Sequence, residues 1–339
     1  MSTASTSSKA APMRVIGVRA ASITYPTGNK NFSVMQAFPA AVDSEESDPF
    51  LMMDHFGPTP SSGAESDPDK FPVQWHPHRG MDIATYMVSG VGRHADSLGN
   101  REVFASPGMQ FCSVGSGIEH AEAGGTPAGE STEGFQLWLN VPSARKMDPP
   151  RYGTVGPDRL PLLSFPGGVT ARVLSGTLDA AKGPFETVQP LLMLDVTVPE
   201  GASLPLSIAA LLDNTMVYCY RGSSLSVNGE ALKKHSIGLF DARGAAGERG
   251  VELVAAAGGG ASSALLFAGK RLNQPIAWHG PFVMTTQAEI RATFAEFQRG
   301  AFPPVRAPFD YRTLAAFPAD HPARLAGGFA TIGSGAAEK

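Results

Sequence analysis

The stretch DIATYMVSGVGRHADSLGNREVFASPGMQFCSVG, Asp82–Gly115, decides the fold. Two segments of strand length, DIATYMVSG (82–90) and FASPGMQFCSVG (104–115), flank the polar RHADSLGN (93–100), whose Gly-Asn end supplies a turn. A strand, a turn and a strand carry the chain up and back to lie beside its starting point. The same texture continues outward. FSVMQAF (32–38) precedes the stretch and FQLWLNV (135–141) follows it. Beyond the proline break DPPRYG (148–153) a second series begins with ARVLSG (171–176), LLMLDVTV (191–198) and TMVYCYRG (215–222). It ends with SLSVNGE (224–230), SIGLFD (236–241), VELVAA (251–256) and SALLFAG (263–269). Short strands at this spacing predict an all-β protein with two β-barrel or sandwich domains in tandem.

Composition agrees. The 339 residues include 38 Gly and 28 Pro, which cut the chain into short segments, while 42% hydrophobic and 17% charged residues fit a folded core. A net charge of −4 without a dense Lys/Arg run predicts no direct nucleic-acid binding. No apolar run approaches the length of a membrane span. Two cysteines, Cys112 and Cys219, are too few for a disulfide framework and suit a reducing compartment. Cytoplasmic localisation is the expectation, with the nucleus open for a eukaryotic source. MSTASTSSKAAPMR, acid-free and rich in Ser, Thr and Ala, shares features of organellar transit peptides but is read as a disordered tail.

One helix is predicted over 286–299. Thr286 and Glu289 form a capping box, Ile290, Phe294 and Phe297 make one apolar stripe, and Gly300 ends it. The stretches 57–70, 123–134 and the tail from about 325 read as loops. The expected division is a tail over 1–13, a first domain over 14–147, a second over 148–300 that includes the helix, and an extension over 301–339.

The chemistry starts with WHPHRG (75–80). His76 and His78, two apart on an extended strand, point to one face and converge on one ion. Alone this is weak, because a loop carries such a pair just as well. GIEHAE (117–122) supplies a second pair, His120 and Glu122. If the intervening hairpin returns the chain, three imidazoles and a carboxylate meet inside one barrel, leaving positions open for a ligand. His55, His94, His235, His279 and His321 lack a partner at ligand spacing, and each is expected in a loop or supporting role. His94, lying between the pairs, is the strongest of these. Trp75, Met81 and Phe111 are candidates for an apolar pocket wall, or else ordinary core.

WHPHRGMDIATYMVSGVGRHADSLGN (75–100) and GSGIEHAE (115–122) together resemble the pirin family of the cupin superfamily. DPFLMMDHFGP (48–58), LWLNVPSARKMDPPRYG (137–153) and RLNQPIAWHGPFVMTTQAEI (271–290) carry the resemblance further, across about residues 14–300. The resemblance implies a bicupin, two jelly-roll-like β-barrels with a short C-terminal helix. It implies one metal ion in the N-terminal cupin, held by His76, His78, His120 and Glu122, and a second cupin without ligands. There SLPLS (203–207) has no histidine.

The implied metal is Fe(II), although the donor types equally admit Mn, Co, Ni, Cu and Zn. The implied activity is dioxygenase cleavage of quercetin or flavonol-like enols, with dioxygen as co-substrate and Glu122 as the catalytic base. The alternative that the family implies is of a different class, a non-enzymatic, redox-sensitive regulator that binds a transcription factor or metabolic enzyme. A monomer is expected. Met81-Asp82 stand where the family commonly has Phe-Glu, and Met109 where an acidic residue is frequent; none of the three is a ligand in the family.

Overall fold

The computed structural model of the chain describes residues 10–26, 28, 30, 32–63, 73–242, 247–308 and 310–312. Two compact units emerge, each assembled from three segments. The first to consider comprises the described parts of Tyr25–Val34, Met53–Arg159 and Asn273–Lys339. Its strands are β1 (Phe50–Pro60, from Met53 onward), β2 (Val73–His78), β3 (Met81–Ser89), β4 (Val91–Asp96) and β5 (Arg101–Ala105). They continue with β6 (Gly108–Ser113), β7 (Ile118–Gly124), β8 (Ser131–Asn140) and β9 (Arg151–Val155).

One sheet runs β9-β6-β3-β8-β1 and the other β2-β7-β4-β5. Alternation along β3, β6 and β8 divides their side chains between two faces. Ala84, Tyr86, Phe111, Phe135 and Leu137 fill one with buried apolar groups. Thr85, Gln110 and Gln136 lie in one row on the other, because the register pairs Gln110 with Thr85 and Thr85 with Gln136. That row meets the second sheet across the barrel interior.

The other unit comprises the described parts of Met1–Thr24, Met35–Met52 and Leu160–Leu272. Its larger sheet contains β10 (Thr170–Ser175), β11 (Leu191–Val198), β13 (Asn214–Arg221), β15 (Ser236–Phe240) and β17 (Ser262–Gly269), and its smaller sheet β12 (Ser203–Ile208), β14 (Leu225–Val227) and β16 (Arg249–Ala255). Leu194, Val196, Leu204, Leu206, Ile208, Val217, Leu253 and Leu266 pack between them. The interior is filled with hydrocarbon. Among the described residues, both clusters of metal-type donors belong to the first unit.

The linear division of the sequence needs three corrections. Residues 10–13 are ordered: Ala11–Pro12 pairs in parallel with Arg249–Gly250, and Met13 is buried in the apolar core. Val15–Ala20 then pairs antiparallel with β15, so the first strands of the chain complete the C-terminal β-unit. Conversely, the helix joins the histidine-bearing unit, not the second barrel.

That helix, α1 (Gln287–Gln298), has the capping box formed by Thr286 and Glu289. Its inner face is Ile290, Thr293 and Phe294, which lie against β18 (Ala277–His279) and β19 (Phe282–Met284). Phe297, placed by sequence on the same stripe, is 39% exposed and sits T-shaped to the buried Phe302 ring, with centroids 5.9 Å apart.

The extension is in part structured too. Tyr311 Oη donates to Glu119 Oε2 at 2.5 Å, and Arg312 Nη2 donates to both Glu119 oxygens at 2.7 Å. Of the three expected loops, 57–60 and 131–134 lie in strands, whereas 64–70 and the tail from 325 fall outside the described residues.

Gly80 closes the turn after His78. Its φ is +84°, and a Cβ there would lie 2.2 Å from the Val283 carbonyl oxygen. Both the left-handed conformation and the close backbone contact exclude a side chain. Gly80→Ala is expected to lower the urea midpoint by the equivalent of about 2–3 kcal/mol. An unchanged midpoint would show that the turn relaxes freely.

Candidate metal centre

β2 and β7 run antiparallel with His76 opposite His120 and His78 opposite Ile118. His76, His78 and His120 are therefore neighbours on one face, and their donor atoms all lie within 4.8 Å of one another. Ring centroids are 4.4 to 4.8 Å apart. The Nε2 atoms of His76 and His120 face each other at 2.9 Å.

Backbone oxygens set the tautomers. His76 Nδ1 donates to Gln74 O at 2.8 Å and His78 Nδ1 donates to Pro281 O at 3.2 Å. Each ring then turns an Nε2 lone pair inward. His78 Nε2 is buried without any hydrogen-bond partner. Burial, then the neighbouring imidazoles, holds His78 and His120 well below the usual histidine range, so both are neutral at pH 7. The orphaned, desolvated Nε2 lone pair of His78 is one that a cation beside the His76 and His120 nitrogens would satisfy. The three residues fit a metal ion by this criterion.

Glu122 is one pleat further along β7, on the same face. A register shift between His120 and Glu122 places Glu122 opposite Val73 on one side and His94 on the other. Its donor atom accordingly groups with His94 and His120, within 4.8 Å, and not with His76 and His78. The carboxylate is held by Gln110, whose Nε2 donates to Oε1 at 2.8 Å, and by Gln136, whose Nε2 donates to Oε2 at 3.4 Å. Gln110 is itself fixed: it also donates to Thr85 Oγ1 at 2.9 Å and accepts from Tyr152 Oη at 3.0 Å.

Of the sequence-predicted wall residues, Met81 alone shares the face of Thr85, by alternation along β3. Trp75 stands on the opposite face of β2 from His76, against Ala95, Ala121 and the Tyr311 ring. Phe111 alternates with Gln110 and belongs to the core. Trp138, which sequence reading passed over, is edge-on to His78 at 5.0 Å. The signal for Gln110, Gln136 and Trp138 is the period-2 pattern of their strands once the inward face is known. His94 is no loop residue: it is buried in β4 beside His120. His279 lies at the end of β18 against Phe294, apart from the cluster. His321 lies outside the described residues.

A β-barrel with converging histidines on paired strands, accompanied by a ligand-poor second β-unit, defines a two-domain cupin. The Pirin family profile matches residues 31–139, and that of the Pirin C-terminal cupin domain matches residues 193–303. A pirin-like protein of Caulobacter vibrioides is 36% identical over 257 residues, covering 75% of this chain and 87% of the relative. The chain belongs to the pirin family.

The crystal structure of quercetin 2,3-dioxygenase from Acinetobacter baumannii is 27% identical, with a TM-score of 0.77 over 86% of this chain and 99% of that one. The bacterial pirin YhhW of Escherichia coli, solved in complex with nickel(II), shares the fold at 19% identity and a TM-score of 0.53, over 74% of this chain and 97% of that one.

Proposed function

We propose that the chain is a metal-dependent dioxygenase that opens a flavonol-like enol, with quercetin as the model substrate. The observation that carries this reading is the convergence of three histidines on one face of two paired strands, His78 and His120 buried and neutral, with their donor atoms within 4.8 Å of one another. His76, His78 and His120 would hold the ion, with Glu122 as fourth donor. Fe(II) is the proposed metal; the Escherichia coli pirin was solved in complex with another first-row cation, nickel(II). When bound, such an ion supplies open positions at which an enol oxygen and dioxygen are brought together.

The chain's own residues do the rest. Glu122, kept in place by the Gln110 and Gln136 amides, takes the proton of the substrate's 3-hydroxyl. Met81 and Trp138 give that face of the barrel apolar surface for an aromatic ring. Both oxygen atoms of dioxygen enter the ring-opened ester, and the carbon that carried the hydroxyl leaves as carbon monoxide. Protein purified without oxygen and loaded with Fe(II) is expected to consume dioxygen with quercetin and release carbon monoxide in equal amounts.

Glu122→Gln keeps an oxygen donor but loses the base. Turnover is expected to fall by about 100- to 10,000-fold, while the iron content stays near that of the wild type. Iron-loaded protein that turns over no member of a flavonol panel would refute the enzymatic reading and favour the regulatory one.

A further inference from the structure

The sheet that carries the histidines has a buried acid on its other face. Along β7, His120 and Glu122 point into the barrel, so Glu119 and Ala121 point out of it. Trp75 on β2 and Ala95 on β4 share that outer face with Ala121. Glu119 is 2% exposed there and directly precedes His120. A carboxylate so buried needs donors in place of the water it has lost.

Those donors come from the far end of the chain. Tyr311 Oη donates to Glu119 Oε2 at 2.5 Å, and Arg312 Nη2 donates to both carboxylate oxygens at 2.7 Å. Burial, then the hydrogen bond to Glu119, pushes the Tyr311 phenol up to about 12, so it keeps its proton at neutral pH. The Tyr311 ring lies against Trp75, the residue before His76, with centroids 5.5 Å apart. Backbone bonds close the same circuit. Ala307 N donates to Ser97 O at 2.7 Å, and Ser97 N donates to Glu119 O at 2.8 Å. Glu119 N returns a bond to Ser97 Oγ at 3.1 Å. Ala307, Tyr311 and Arg312 all lie beyond the residues that either family profile matches.

We propose that Ala307, Tyr311 and Arg312 form a strap that fixes the histidine-bearing strands from behind, with Tyr311 and Arg312 as positioning residues for His76 and His120. Tyr311 acts on β2 through Trp75, and both residues act on β7 through Glu119. Ligands divided between two strands hold one ion tightly only while those strands keep one relative position. The inference rests on the reading that His76, His78 and His120 bind a metal.

The test is equilibrium dialysis of the metal-free full chain against Co(II), comparing wild type with Tyr311→Phe/Arg312→Met. The double variant keeps an aromatic ring on Trp75 and leaves the Glu119 carboxylate without a side-chain donor. Binding is expected to weaken by about 10- to 100-fold, the usual cost of losing an outer support of a ligand. Electrostatics alone predicts the opposite sign, because removing the guanidinium leaves an uncompensated negative charge beside His120 and tightens cation binding. Unchanged or tighter binding in a folded double variant therefore overturns the proposal, even where the urea midpoint falls. Should the double variant unfold, Arg312→Met alone decides by the same sign. A wild-type chain that binds no cobalt refutes the metal reading, and the positioning role with it.

Discussion

His76→Ala is expected to weaken binding at the three-histidine position by at least about 100-fold, because removing only an outer-sphere partner of a ligand already costs 10- to 100-fold. The metal-free protein should scarcely notice. His76 is half-buried, and truncation removes only its 2.9 Å Nε2–Nε2 contact with His120 and its hydrogen bond to Gln74 O, with no buried apolar packing. The stability of the apoprotein should stay within about 1 kcal/mol of wild type. The effect appears on adding metal. An ion that binds the native state alone, at a thousandfold excess over its Kd, stabilises by about 4 kcal/mol. Wild-type protein should show a shift of that order at this position, and His76→Ala should not. Oxygen uptake with quercetin should vanish in parallel. Turnover that persisted in a variant without metal at this position would refute the proposed mechanism.

Arg79→Met should cost about 3 kcal/mol or more, the largest loss of stability expected of any residue in the WHPHRG stretch. The Arg79 side chain is 2% exposed and spends every arm on protein. Its Nε donates to Ser116 O at 2.8 Å, Nη1 to Thr293 Oγ1 at 3.0 Å and Nη2 to Glu296 Oε2 at 2.6 Å. The guanidinium also sits 5.0 Å from the Phe302 ring centroid. Methionine fills the volume and leaves a buried carbonyl and a buried hydroxyl without their donor, each worth about 1–3 kcal/mol. Glu296 is one-third exposed and can return to water, which limits its share. An exposed pair such as Lys182–Glu186 sets the comparison, where loss of the contact should cost less than about 1 kcal/mol. Urea unfolding measures the difference. A midpoint unchanged by Arg79→Met would mean that the helix is not anchored through this residue.

The arginine therefore belongs to the architecture and not to the chemistry, although it shares its short stretch with two of the donors. Sequence spacing does not separate these roles. A strand's period of two sends His76 and His78 to one face and leaves Arg79 pointing elsewhere, but what it finds there is supplied by α1, more than two hundred residues on.

The all-β character, the helix cap and the two donor pairs are legible in the amino-acid sequence, because all of these are local. Turn residues, side-chain alternation and a capping box act within a few positions along the chain. Where those pieces go is set by pairings between distant parts of the chain. Val15–Ala20 joins the C-terminal barrel through its pairing with β15, and α1 joins the N-terminal one through Arg79 and the β19 strand. The same holds at the site. Which residues stand opposite Glu122 depends on strand register, and one bulge on β7 exchanges the expected company of His76 and His78 for that of His94. Register is a property of two strands at once, and no stretch of one strand contains it.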